Sequence, residues 1–84
     1  MALYKIQLSK KAEKQLDKLS DRVAEPILNE INKLAFNPRP FGYIKLTGRN
    51  AYRIWIGNYR VIYEIFDKQL LLDVIEVGDR KEIY

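Results

Sequence analysis

The run "AYRIWIGNYRVIYEIFDKQLLLDVIEV", residues 51–77, limits how this chain can fold more than any other part of it. It is rich in β-branched and aromatic residues and is broken by two turn signals, Gly57-Asn58 and Asp67-Lys68. Runs of this composition form strands, and such pairs between them form hairpin turns. The segment predicts a three-stranded antiparallel meander over roughly 51–56, 59–66 and 69–77. A two-residue turn at Gly57-Asn58 sets Ile56 opposite Tyr59, Trp55 opposite Arg60, Ile54 opposite Val61 and Arg53 opposite Ile62. Successive side chains in a strand point to opposite faces. One face therefore carries Tyr52, Ile54, Ile56, Tyr59, Val61, Tyr63 and Ile65; the other carries Arg53, Trp55, Arg60, Ile62, Glu64 and Phe66.

The apolar face needs a cover, and the preceding residues supply one. "ALYKIQL" (Ala2–Leu8) alternates as a short strand, expected at the sheet edge. Ser9 can cap a helix in which Ala12, Leu16 and Leu19 recur along one side. After Ser20 and Asp21, a second helix is expected with Val23, Ile27, Ile31 and Leu34 on one stripe. Pro26 near its first turn predicts a late start or a mild kink. "NPRPFG" (Asn37–Gly42) ends that helix. The expected fold is a small single α+β domain over residues 1–84. Its antiparallel sheet, the N-terminal strand plus the meander, has two N-terminal helices packed on one face.

Composition narrows the chemistry. The 84 residues contain no cysteine and no histidine, which removes thiolate metal sites, disulfides and the commonest acid–base side chain. Catalysis must use Arg, Lys, Tyr or carboxylates. No apolar run is long enough to cross a membrane, and the N-terminus lacks a signal-peptide hydrophobic region, so a cytoplasmic location without a membrane partner is expected. The formal charge is +4, and from Ile31 to Tyr63 the chain carries Lys33, Arg39, Lys45, Arg49, Arg53 and Arg60 without any Asp or Glu. A long acid-free stretch suits an anion-binding surface.

The last segment, "VGDRKEIY" (Val77–Tyr84), bears on the same surface. A third strand ending at Val77 brings it beside Asn58 and Tyr59, with Gly78 allowing a sharp departure and Arg80 and Tyr84 approaching Arg53 and Arg60. Arginines interleaved with aromatics suit RNA, because guanidinium groups grip phosphates and rings stack on unpaired bases. RNA can be cleaved without a metal or cofactor, by attack of its 2′-hydroxyl on the adjacent phosphorus. Plainer roles exist for each residue: Arg53 and Arg60 as solvating groups or cross-strand partners (Arg60 with Asp79 or Glu82), Trp55 as sheet cover, Tyr84 as a terminal anchor, Tyr52, Tyr59 and Tyr63 as core, and Lys45 and Arg49 as loop residues.

"YRIWIGNYRVIYEI" followed by "VGDRKEIY", and preceded by "KLAFNPRP" and "KLTG", resembles the RelE/ParE superfamily of bacterial toxins, in its RelE-like branch. The likeness covers nearly the whole chain. It implies a toxin of a type II toxin–antitoxin module, a ribosome-dependent endoribonuclease that cuts mRNA in the A site and leaves a 2′,3′-cyclic phosphate. Carried over, Arg53, Arg60 and Arg80 would bind phosphate and stabilise charge, and Tyr84 would stack on a base or transfer a proton. Lys45, Arg49, Trp55 and Lys81 complete the expected RNA-contacting set. Two positions depart from the pattern: Trp55 stands where some active relatives have a second basic residue, and Asp79 where a histidine or basic residue is common. Asp79 or Glu64 could accept the proton instead. The implied partners are the ribosome with its mRNA and a cognate antitoxin, helical and extended, which displaces the tail; operator DNA is reached only through that antitoxin. The alternatives are a ParE-like toxin that inhibits DNA gyrase by protein–protein contact, and a degenerate toxin acting only within a repressor complex.

Overall fold

The computed structural model describes residues 3–82. Its central hairpin has the register dictated by its turn: β3 (Tyr52–Ile56) and β4 (Tyr59–Phe66) pair antiparallel, with Trp55 opposite Arg60 and Arg53 opposite Ile62. Gly57 makes this possible by taking φ +60°, a region costly for residues with a Cβ.

The second turn is longer than expected. Asp-Lys lacks the glycine that eases the positive φ of a two-residue turn. Asp67–Gln69 instead form a 3-10 turn, and Leu70 takes φ +50° before β5 (Leu71–Asp79) begins. Phe66 therefore pairs with Leu71. Further along, Ile62 pairs with Glu76 but Tyr63 with Val74, so Ile75 is bulged. Two extra turn residues and one bulged residue carry the strand past Val77, and Asp79 pairs with Tyr59. Gly78 is consequently inside the strand, opposite Arg60, and is not a point of departure.

β1 (Lys5–Leu8) adds to the edge of β5 in parallel, Lys5 opposite Leu71. Ser9 ends it and starts α1 (Lys10–Asp17): its Oγ accepts from the Ala12 amide at 3.0 Å and donates to the Ile75 carbonyl at 2.7 Å. Beyond β1, α1 lies along the β5 edge, where Gln15 Oε1 accepts from the Val77 amide at 2.7 Å. α2 (Asp21–Lys33) does not start late; the Val23 and Ala24 amides donate to the Ser20 carbonyl, and Pro26 lies within it on an exposed side. A two-residue strand, β2 (Ile44–Lys45), lies where only a loop was expected and pairs with Arg53 and Tyr52. The sheet order is β1-β5-β4-β3-β2.

Both helices cover one face. Leu16, Ile27, Ile31 and Leu34 pack with Val61, Tyr63, Leu72 and Val74, all buried. Tyr63 is fully buried, and its hydroxyl donates to the Pro38 carbonyl at 2.7 Å. Burial pushes the phenol upward from its ordinary value, which keeps the hydroxyl a donor. The same loop is held by Arg39, whose guanidinium makes two bonds to the Asp67 carboxylate, at 2.9 and 3.3 Å, and lies 5.5 Å from the Tyr52 ring centroid. Tyr4 also donates to Asp67.

Hydrogen bonding from Arg39, then from Tyr4, holds the Asp67 carboxyl below its ordinary value. A carboxylate with a depressed folded-state pKa stabilises the fold above its unfolded value and loses that effect as pH falls through the folded one. Wild type should therefore exceed Arg39→Ala in stability most at neutral pH, with the two converging below about pH 4. Urea denaturation at a series of pH values measures this; a difference independent of pH would contradict it.

Candidate nucleic-acid interface

The face turned away from the helices is built from the alternate residues of β3, β4 and β5. Arg53 and Trp55 lie along β3, Arg60, Ile62 and Glu64 along β4, and Asp73, Glu76 and Gly78 along β5. Ile62 sits between Arg53 and Glu76 in the register and is only 5% exposed, so this face has an apolar floor beneath its charges. Trp55 is 43% exposed, with the guanidinium carbon of Arg53 at 5.7 Å from its ring centroid. That is cation–π range, and it leaves an aromatic surface beside a cation.

Arg53 and Arg60 are diagonal neighbours across the hairpin, about 7–8 Å apart at the backbone. Their Nε atoms are buried and have no hydrogen-bond partner. Arg60 Nη2 donates to Glu76 Oε2 at 2.6 Å, so its partner is Glu76 and not Asp79. The other oxygen, Glu76 Oε1, accepts from Lys11 Nζ at 2.8 Å. The hydrogen bond from Lys11 is the main reason the Glu76 carboxyl lies below its ordinary value; burial opposes the shift, and the charge of Arg60 adds to it. Neither Glu76 nor Lys11 was expected at this site. The plain alternation of β5 puts Glu76 on the helix face; the bulge at Ile75 moves it to this one, and Lys11 reaches it from α1.

Arg80 and Lys81 are exposed in a short 3-10 turn (Arg80–Glu82) two residues beyond Gly78. The Arg80 amide donates to the Asn58 carbonyl at 2.8 Å, which fixes the tail against the β3–β4 turn. Asp79 pairs with Tyr59 and lines a small cleft with Gln15, Lys18 and Leu19, so it lies on the helix side of the sheet. Its Oδ1 accepts from the Lys81 amide at 3.0 Å. Glu64 does share the arginine face, but four residues along β4 put it about 13 Å from Arg60. Lys45 is opposite Tyr52, on the other face from Arg53, and Arg49 is in the loop that follows, two strands from Arg60. These two are not brought together with the arginine pair. Tyr84 lies outside the described residues.

Gly78 lies opposite Arg60, close to its guanidinium. A Cβ at this position would stand 3.8 Å from Arg60 Nη2 and 4.0 Å from its Nε, which is ordinary contact. Gly78→Ala should therefore leave both melting temperature and RNA binding near wild type. Gly78→Leu should lift the guanidinium and weaken RNA binding, read by fluorescence anisotropy with a labelled single-stranded oligonucleotide. Equal RNA binding by the two variants would contradict this role.

A second surface lies beside β3. Because β2 pairs only with Tyr52 and Arg53, residues 54–56 have one free edge. A groove of about 470 Å³ runs there between α2 and the 37–42 loop, lined by Leu34, Pro40, Phe41, Ile54, Trp55 and Ile56 among others. Phe41 is fully exposed at its mouth.

A family model for the ParE toxin of the type II toxin–antitoxin system parDE matches residues 6–84. The chain belongs to this superfamily of RelE/ParE toxins. An Escherichia coli protein described as a RelE-like toxin is 27% identical over 86 residues, covering 96% of this toxin and 90% of the relative. A chain of the intact E. coli RelBE toxin–antitoxin complex superposes with a TM-score of 0.78 at 27% identity, covering 93% of this toxin and 96% of that chain. A chain of the archaeal RelE–RelB complex of Pyrococcus horikoshii gives 0.82 at 28% identity, with the same coverages of 93% and 96%. No helix among the described residues of the toxin is long and apolar enough to cross a membrane.

Proposed function

We propose that this toxin is a ribosome-dependent endoribonuclease that cuts mRNA in the A site through the arginine face of its sheet. The observation that carries the reading is the pairing of Arg53 and Arg60, each with an unsatisfied buried Nε, beside an exposed tryptophan. Two neighbouring guanidinium groups, each short of an acceptor, are suited to a phosphodiester, and the indole to an adjacent unpaired base.

In the proposed reaction the 2′-hydroxyl attacks the adjacent phosphorus, the bond to the 5′-oxygen breaks, and a 2′,3′-cyclic phosphate remains on the upstream fragment. Arg60, with Arg80 arriving from the tail, stabilises the charge that builds on the phosphoryl oxygens. Arg53 and Trp55 hold the substrate in line. Arginine stays protonated and does not serve as the base. Of the two carboxylates considered as proton acceptor, Asp79 lies on the other face, and Glu64 shares this face but stands about 13 Å from Arg60, so neither is assigned as the base. Tyr84 is proposed to stack on a base or donate to the leaving oxygen.

The partner is proposed to be a cognate antitoxin, as in the two complexes named above. The apolar groove beside Phe41 and the free edge of β3 are surfaces suited to an extended or helical segment.

The match to a ParE model favours a second reading, inhibition of DNA gyrase by contact alone. Such a binder has no use for two arginines with unpaired Nε atoms over an apolar floor. Induction in cells with pulse labelling of protein and DNA separates the two. Protein synthesis stopping first supports the RNase; DNA synthesis stopping first overturns it.

A further inference from the structure

The Lys11–Glu76–Arg60 chain opposes RNA binding at the very arginine to which the proposed chemistry assigns charge stabilisation. A carboxylate at 2.6 Å offers Arg60 the same charge and much the same oxygen geometry as a phosphate, so the two compete for one donor. We infer that Glu76 is a built-in competitor that keeps Arg60 closed to stray anions and releases it only to a phosphate already anchored nearby. This inference rests on reading the arginine face as the RNA site.

Four observations support it. Glu76 is also held by Lys11 on α1, whose side chain is 63% exposed, so a carboxylate displaced from Arg60 keeps a charged partner and is not left orphaned. Arg60 Nε is buried without an acceptor while Nη2 is occupied, so the closed state is incomplete. A phosphate spanning both donors would complete it. Gly78, opposite Arg60 in the register, presents no side chain to the pair; a Cβ there would lie 3.8 Å from Arg60 Nη2 and 3.9 Å from Glu76 Oε2. Finally, among the described residues Arg53 has no carboxylate partner and lies over Trp55. Arg53 is therefore ready to make the first contact.

An order of events follows. A phosphate of single-stranded RNA meets Arg53 with a base on Trp55, and the neighbouring phosphate then draws Arg60 from Glu76, which stays with Lys11. A lone small anion lacks that anchorage and does not open the pair. Glu76 is thus a positioning residue that sets selectivity for a polyanion.

The test is anisotropy of a labelled single-stranded RNA oligonucleotide with purified toxin over a range of salt, using wild type, Glu76→Gln, Glu76→Asp and each in an Arg60→Ala background. The glutamine removes the charge; the aspartate keeps it but, one methylene shorter, withdraws it from Arg60. Both should bind roughly tenfold tighter than wild type. Both should keep a salt dependence close to that of wild type, since Arg60 meets its phosphate in all three proteins and only the competing bond is lost. Arg60→Ala should abolish the gain in both. The competitor role is overturned if Glu76→Gln and Glu76→Asp bind as wild type does. It is equally overturned if only the glutamine gains affinity, or if the gain survives Arg60→Ala, since those results mean a general field effect. RNA binding absent from every folded variant would overturn the RNA reading of the face itself.

Discussion

Arg60→Ala is expected to slow mRNA cleavage on the ribosome by roughly 10²–10³ while leaving the domain folded. The rate effect follows from removing a fixed cation aimed at developing phosphoryl charge, an interaction made most strongly in the transition state. The fold tolerates the change because Glu76 keeps its bond to Lys11 and is not stranded. Arg60→Lys should recover only part of the rate, since an ammonium restores charge but not the planar fork. Single-turnover cleavage separates these from defects in ribosome binding, which would appear as a changed concentration dependence. A rate for Arg60→Ala within about threefold of wild type would remove Arg60 from the site.

Tyr63→Ala is the substitution expected to cost most stability, about 3–5 kcal/mol. Tyr63 is fully buried at the centre of β4, and its hydroxyl is the partner of the Pro38 carbonyl. A domain of 84 residues is stable by only about 4–13 kcal/mol in total, so this loss should leave a substantial fraction unfolded at 37 °C. Tyr63→Phe isolates the hydroxyl and should cost about 1–3 kcal/mol, the penalty of an unpaired buried carbonyl. Because Pro38 begins the loop that lines the apolar groove, the phenylalanine variant should also loosen that wall. Urea denaturation should show the midpoint falling in the order wild type, phenylalanine, alanine. Equal midpoints for the two variants would mean that the ring contributes nothing beyond its hydroxyl.

How far the sequence could be read depended on the turns. Gly57-Asn58 contains its glycine where a tight hairpin needs it, so the pairing of Arg53, Trp55, Arg60 and Ile62 and the sorting of β3 and β4 into two faces were legible. Ser9 was legible as a cap because a serine followed by helix-period apolar residues has few other uses. Asp67-Lys68 carries no such constraint. A two-residue turn there sets Glu76 opposite Tyr59, on the helix face. The longer turn and the bulge at Ile75 shift the pairing by three residues, an odd number, and move Glu76 to the face of Arg60. The counterion of the site was hidden by that parity, and so was the place of Gly78 inside the strand. β2 was illegible for a different reason: two residues at an edge have no periodicity to show.

The account stands most directly on cleavage of mRNA by the purified toxin on programmed ribosomes with an empty A site, with wild type compared with Arg60→Ala and Arg80→Ala. The predicted result is cutting within the A-site codon by wild type, upstream fragments ending in a 2′,3′-cyclic phosphate, and loss of those cuts in both variants. No cutting by the wild-type toxin, or cutting that both substitutions leave unchanged, would contradict it.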